Sequence, residues 1–362
     1  MKRLTAELQK IRDRGNLDQS ALYHALGKRY LELSGKNPQE IRDIFSRLHD
    51  PDFCVADYSD PTGKVGGMAI MDAFRCLVDS IRTTTLIRGI FHTLDSLKNN
   101  IRGKLTAVDA GAGTGILSMG LVAAGCDRVI ALEINPETYE TTRRLLEELK
   151  LNKKIDLIKC DATRVDLGDL LPGGADILVS ENLSIGLFDE PQYQIIGHLS
   201  KYLRPDAKII PFRGTNFVNL GLSSWQDSQE FVVAANRLFD LMRISKNLQY
   251  ARVESYRGMD VPFIESTVAL EVEDNTPVNT LLISSRFHIT DQEDSPVIID
   301  KTIFLGGSYA IRLPTPVVSR NNRVLVSLKY PAGRRITSMN IHTEENRIVF
   351  SSEQRTTKGS HD

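Results

Sequence analysis

The chain has 362 residues, 41% of them hydrophobic and 25% charged, with a formal net charge of -1. That is an ordinary globular composition, long enough for two cores, and it excludes a disordered or collagen-like chain. The near-neutral balance offers no basic stripe, so no nucleic-acid partner is expected.

The four cysteines, Cys54, Cys76, Cys126 and Cys160, are scattered without a C-x-x-C pair. They suggest neither a zinc knuckle nor a disulfide framework, and fit a reducing compartment. The start carries no signal-peptide core, and no apolar run reaches about 18 residues, so a cytoplasmic chain with no membrane partner is expected.

Residues 1–50 read as a helical module. "NPQEIRDIFSRLHD" supplies Asn37 as N-cap, Pro38 at the first helical position and Glu40 at the third, with Ile41, Ile44, Phe45 and Leu48 on one face. Leu22, Ala25, Leu26, Tyr30 and Leu33 form a similar stripe ended by Gly35. Residues 51–67 are rich in turn residues, and "MAIMDAFRCLVDSIRTTTLIRGIFHTL" is helical by pattern.

From residue 105 short β-branched runs alternate with helical segments: "LTAVDAG", "RVIALEI", "IDLIKCD", "ADILVSE" and "AKIIP". This predicts βαβ units and a parallel sheet covered on both faces, with ligands beyond the carboxyl ends of the strands. Residues 217–250, and "QEFVVAANRLFDLMRI" most of all, read as helix. After about residue 250 the alternation has period two, as in Val324, Val326, Leu328 and Tyr330. The expected division is therefore a helical module over 1–50, a Rossmann-like α/β domain over 51–212, a mostly antiparallel β-barrel-like domain over 213–350 and a tail over 351–362.

"AVDAGAGTGILSMG" ends a strand, turns through Gly111, Gly113 and Gly115, and opens a helix. Its G-x-G-x-G spacing differs from the G-x-G-x-x-G of dinucleotide sites, and Asp109 at the strand end favours a ligand with an ammonium over a pyrophosphate. Glu133 ends the next strand, 22 residues beyond Gly111, where a carboxylate can accept ribose hydroxyls. Asp161 and Ala162 follow the third strand, suited to an adenine edge. Amino acid, ribose and adenine together describe S-adenosylmethionine, and residues 101–212 resemble the class I methyltransferases. Each element also has a plainer reading, because a tight strand-to-helix turn needs glycine whatever it binds.

"SENLSIGLFDE" places Glu181 and Glu190 nine residues apart, just after the fourth strand. Two carboxylates there match the donor fork of a guanidinium. The segment resembles the double-glutamate loop of the protein arginine methyltransferases, and "DSIRTTTLIRGI" resembles that family's D-x-x-R-T segment. The resemblance implies that Glu181 and Glu190 bind a guanidino substrate, that Arg82 binds the methionine carboxylate, that Asp79 supports its helix, and that a helical arm, here 217–250, makes a homodimer. No role attaches to Asp189. This chain departs from the family where its Thr-His-Trp loop is expected, since "DSPVIIDKTIF" offers Val297, Ile298 and Ile299, and the single tryptophan is Trp225. Tyr58 matches the cofactor-lid tyrosine only loosely, and "CDA" replaces an acidic pair. The acceptor is expected to be free or peptide-bound arginine or a related guanidino metabolite. The alternatives are a small-molecule N- or O-methyltransferase with another acceptor and a silent cofactor-binding scaffold. No His, Cys or carboxylate cluster has metal-ligand spacing.

Overall fold

The structure, a computed structural model, describes residues 2–14, 20–48, 69–100, 103–224, 231–233, 241–292, 297–298 and 307–352. Among the described residues the first elements are three helices, α1 (Lys2–Arg14), α2 (Ser20–Leu33) and α3 (Pro38–Ser46). The start of α3 is set by its sequence. The Asn37 side chain accepts from the Gln39 and Glu40 N–H groups, and Glu40 reaches back to the Asn37 N–H at 2.8 Å.

The next helical stretch is two helices, α4 (Ile70–Val78) and α5 (Ser80–Asn100), broken at Asp79. The Asp79 carboxylate accepts from the Arg82 N–H at 3.2 Å, so the residue caps α5 instead of continuing α4.

The parallel sheet follows: β1 (Thr106–Ala110), α6 (Ile116–Ala123), β2 (Arg128–Glu133), α7 (Pro136–Glu148), β3 (Ile155–Lys159), β4 (Ala175–Ser180), α8 (Gln192–Leu199) and β5 (Leu203–Ile210). Its strand order is β3-β2-β1-β4-β5, so chain direction across the sheet switches between β1 and β4. Ligand crevices form at such a switch point. Leu8, Ile11, Tyr23, Tyr30 and Leu31 of the first helices share one buried cluster with Val108, Ile130 and Leu178 of the sheet. The opening helices are thus part of the sheet's core.

Among the described residues that follow, the strands are β6 (Arg213–Ser223), β7 (Phe231–Val233), β8 (Leu241–Arg243), β9 (Leu248–Glu254), β10 (Phe263–Glu271), β11 (Pro277–His288), β12 (Val297–Ile298), β13 (Ser308–Val318), β14 (Arg323–Pro331), β15 (Asn340–Glu344) and β16 (Arg347–Ser351). They form a seven-stranded and a four-stranded sheet, antiparallel except where β14 runs parallel to β16. Val324, Val326, Leu328 and Tyr330, alternating along β14, are all fully buried in this second core.

Strands stand where parts of the helical arm expected over 217–250 were placed. Residues 217–223 belong to β6, Phe231–Val233 pairs with Ile311–Tyr309 of β13, and Leu241–Arg243 pairs with Ser223–Gly221 of β6. The apolar run that suggested a helix is short and carries Val232 and Val233, a composition that fits either element, and cross-strand pairing decides it. Residues 225–230 and 234–240, Trp225 among them, lie outside the described residues. None of the described helices is long and apolar enough to cross a membrane.

Candidate active site

The glycine turn between β1 and α6 is a backbone requirement. Gly111, Gly113 and Gly115 have φ of 80°, 52° and 80°, a region that side chains with a Cβ resist. The Gly111 and Ala112 N–H groups donate to the Leu132 carbonyl at 3.0 and 2.8 Å, tying the turn to β2. A Cβ on Gly111 would lie 2.8 Å from Asn182 Oδ1, so the loop after β4 closes directly over the turn.

Asp109 lies beneath that turn and is 0% exposed. Ser118 Oγ donates to its Oδ2 at 2.5 Å, while Oδ1 has no protein donor. Burial pushes this carboxyl up to about 6. Glu133 is also buried; its Oε2 accepts from the Gly113 N–H at 2.9 Å and its Oε1 from the Asn135 N–H at 2.8 Å. It therefore links the glycine turn to the start of α7. At the end of β3, Asp161 Oδ1 accepts from both the N–H and the hydroxyl of Thr163, at 2.8 and 2.6 Å. Its Oδ2 lies 3.6 Å from Arg164 Nε, and Ala162 beside it is buried.

Arg82, near the start of α5, and Glu181, just past β4, come together. Arg82 Nε donates to Glu181 Oε1 at 2.9 Å and its Nη2 faces Oε2, a two-pronged pair with both side chains buried. Arg82 Nη1 also donates to the Cys76 carbonyl at 3.0 Å, at the end of α4. The residue expected to meet a ligand's carboxylate is thus held by the residue expected to meet a substrate's guanidinium.

Glu190 completes the cluster. Burial, then the charge of Asp189 and to a lesser degree of Asp72, pushes its carboxyl up to about 7 against the lowering influence of Arg82. Both glutamates therefore sit within the electrostatic reach of one guanidinium. The loop between them is stitched to both cores: Leu183 and Leu187 pack into the first, Ile185 and Phe188 into the second.

Several residues that hold this loop have no signature in the sequence. Asn182 Nδ2 donates to the Ala110 carbonyl at 2.9 Å, and Gln192 Oε1 accepts from Ser180 Oγ and the Asn182 N–H, both at 3.0 Å. Tyr330 donates to the Gly186 carbonyl at 2.9 Å, and the Gly186 N–H donates to Ser285 Oγ at 2.7 Å. Their only cue is that Asn182 follows Glu181 and Gln192 follows Glu190 at close spacing, which names no role. Tyr58 lies outside the described residues, as do residues 294–304 apart from Val297 and Ile298.

A family model described as a methyltransferase domain matches residues 107–206. Over 183 residues the chain is 32% identical to the histone-arginine methyltransferase CARMER of Anopheles gambiae, covering 51% of this chain and 26% of that protein. Over 139 residues it is 31% identical to an arginine N(omega)-methyltransferase of Streptomyces achromogenes subsp. streptozoticus, covering 38% of this chain and 37% of that protein. Over these segments the chain is similar to arginine methyltransferases. It spans well under half the length of either of these relatives. Its fold is similar to a chain of the Trypanosoma brucei PRMT1 enzyme-prozyme heterotetrameric complex with AdoHcy, with a TM-score of 0.56 at 17% identity, covering 70% of this chain and 85% of that one. The segment 107–206 that matches the methyltransferase-domain model contains the glycine turn, Glu133, Asp161 and both loop glutamates, but not Arg82.

Proposed function

We propose that this chain transfers a methyl group from S-adenosylmethionine to a guanidino nitrogen, of arginine or a related guanidino metabolite. One observation carries the reading: a carboxylate of the glutamate pair already grips a guanidinium, that of Arg82, by its fork. Chemistry that accepts one guanidinium suits another.

The donor-side residues fit the group assigned to them. Bound there, S-adenosylmethionine would supply a methyl carried on a sulfonium. The glycine turn permits close backbone approach, and the orphaned Oδ1 of Asp109 suits an ammonium or N–H donor. Glu133 accepts from backbone N–H groups on both oxygens and keeps lone-pair capacity for a ribose hydroxyl. Asp161 keeps Oδ2 for an adenine amino group, next to buried Ala162. The donor's carboxylate has to share Arg82 with Glu181, through guanidinium N–H groups that the named bonds do not use.

On the acceptor side, Glu181 is oriented by Arg82, and each of its oxygens keeps lone-pair capacity for an arriving guanidinium. An incoming cation favours the ionised form of Glu190. After transfer the product carries one proton too many, and a carboxylate of the pair lies beside it to accept that proton. A cytoplasmic location and a homodimer belong to the same reading, the first from cysteine usage and the second from the family resemblance; light scattering tests the dimer.

The purified protein is incubated with the donor and, separately, free L-arginine, an arginine-rich peptide and guanidino metabolites, beside Glu181→Gln and Glu190→Gln. The expected result is a one-methyl mass gain on one acceptor, reduced on the order of 100-fold or more in either variant. Donor binding without modification of any acceptor would remove the guanidino assignment.

A further inference from the structure

Asp189 lies between the two sides of this site. Oδ1 accepts from the Ile336 N–H at 3.0 Å, and Oδ2 from the Tyr309 hydroxyl of β13 at 3.2 Å. Its own N–H donates to the Arg334 carbonyl at 3.2 Å, and one turn earlier the Gly333 N–H donates to the Leu187 carbonyl at 2.7 Å. The segment is also conformationally costly: Gly186, Leu187 and Asp189 have φ of 70°, 62° and 59°. Leucine resists that region, while aspartate is among the residues that tolerate it. A backbone folded this way persists only where its surroundings over-determine it.

We propose that Asp189 is a positioning residue: its two side-chain hydrogen bonds pin the glutamate loop to the second sheet region, and its charge beside Glu190 sets how that carboxylate is presented to the substrate. The inference rests on the reading of Glu181 and Glu190 given above. Charged and titratable groups facing Glu190 are Asp189 on its own loop, Arg82 on α5 and Asp72 on α4, while Asp189 itself faces Tyr309 and Arg335. Asp189 raises the Glu190 carboxyl, and burial in turn raises Asp189.

Two substitutions separate pinning from charge. Asp189→Asn keeps both contacts, since its amide oxygen accepts from the Ile336 N–H and its amide nitrogen donates to the Tyr309 hydroxyl, but it removes the charge. Asp189→Ala removes both. Three readouts are taken on the full chain: hydrogen exchange of the 185–190 amides, carboxyl NMR titration of Glu190, and the pH profile of methyl transfer. The expected result is faster loop exchange and about a 10- to 100-fold loss of turnover for Asp189→Ala, with donor binding retained. For Asp189→Asn, wild-type loop exchange is expected, with the Glu190 titration and the acidic limb of the profile both displaced to lower pH. Wild-type exchange and turnover in Asp189→Ala would overturn the pinning role. An undisplaced Glu190 titration in Asp189→Asn would overturn the electrostatic one. If the wild type methylates no guanidino compound, the proposed function fails alone, because exchange and NMR titration still decide the role of Asp189.

Discussion

The two glutamates do different physical work despite sharing a loop. Glu181 is a committed partner, matched to the Arg82 fork, whereas Glu190 is half-buried with only partial compensation and is pushed up to about 7. Folding therefore raises the Glu190 carboxyl from its ordinary 4.5. A raised acid stabilises the native state below its unfolded value and loses that contribution as pH rises through the folded value. Wild-type stability should accordingly fall between about 4.5 and about 7, and Glu190→Gln should flatten that part of the curve. Urea unfolding at a series of pH values measures it, and an unchanged slope in the variant would assign the pH dependence elsewhere, buried Asp109 being the next candidate.

At the level of elements, the site depends on where strands stop. The turn after β1 shows this most sharply, since Gly115 is the N-cap of α6 with a left-handed backbone. A Cβ there would lie 3.2 Å from Thr142 Cγ2, so Gly115→Ala combines strain with crowding against α7. It should destabilise the chain by about 1–2 kcal/mol and weaken donor binding, measured by thermal unfolding and calorimetry. This much was legible from residues alone, because strand, glycine and helix signals lie within a few positions of each other. The α3 capping box and the buried alternation of β14 were legible for the same reason. Three other features were not. The break at Asp79 was hidden inside a continuous helical pattern. Strand replaces helix over parts of the expected arm, because short apolar runs take their form from strands far along the chain, as Phe231–Val233 does from β13. The role of Asp189 was invisible because Ile336, its partner, is 147 positions away, and no local period encodes such a contact.

Across the whole molecule, the glutamate loop is the seam between two cores. Buried Tyr330 crosses it: its hydroxyl donates to the Gly186 carbonyl and is 2.6 Å from the Tyr250 hydroxyl. Tyr330→Phe leaves that carbonyl without its donor in a dry place. The expected cost is about 1–3 kcal/mol, with methyl transfer falling more than donor binding because Tyr330 meets the loop at Gly186, between the two glutamates, whereas the loop meets the glycine turn through Asn182. Equal losses in both would mean that the tyrosine supports the fold in general.

The first helices have a practical consequence. The segment 107–206 looks from its motifs like a self-sufficient unit, yet it draws Arg82 from α5, its buried packing partners Tyr23, Tyr30 and Leu31 from α2, and the clamp on its glutamate loop from β13, β14 and the turn after it. Excised, it would keep every glycine and carboxylate that made it recognisable and lose the groups that aim them. The motif marks where the chemistry would be carried, but the smallest working part of this protein is much larger than its motif.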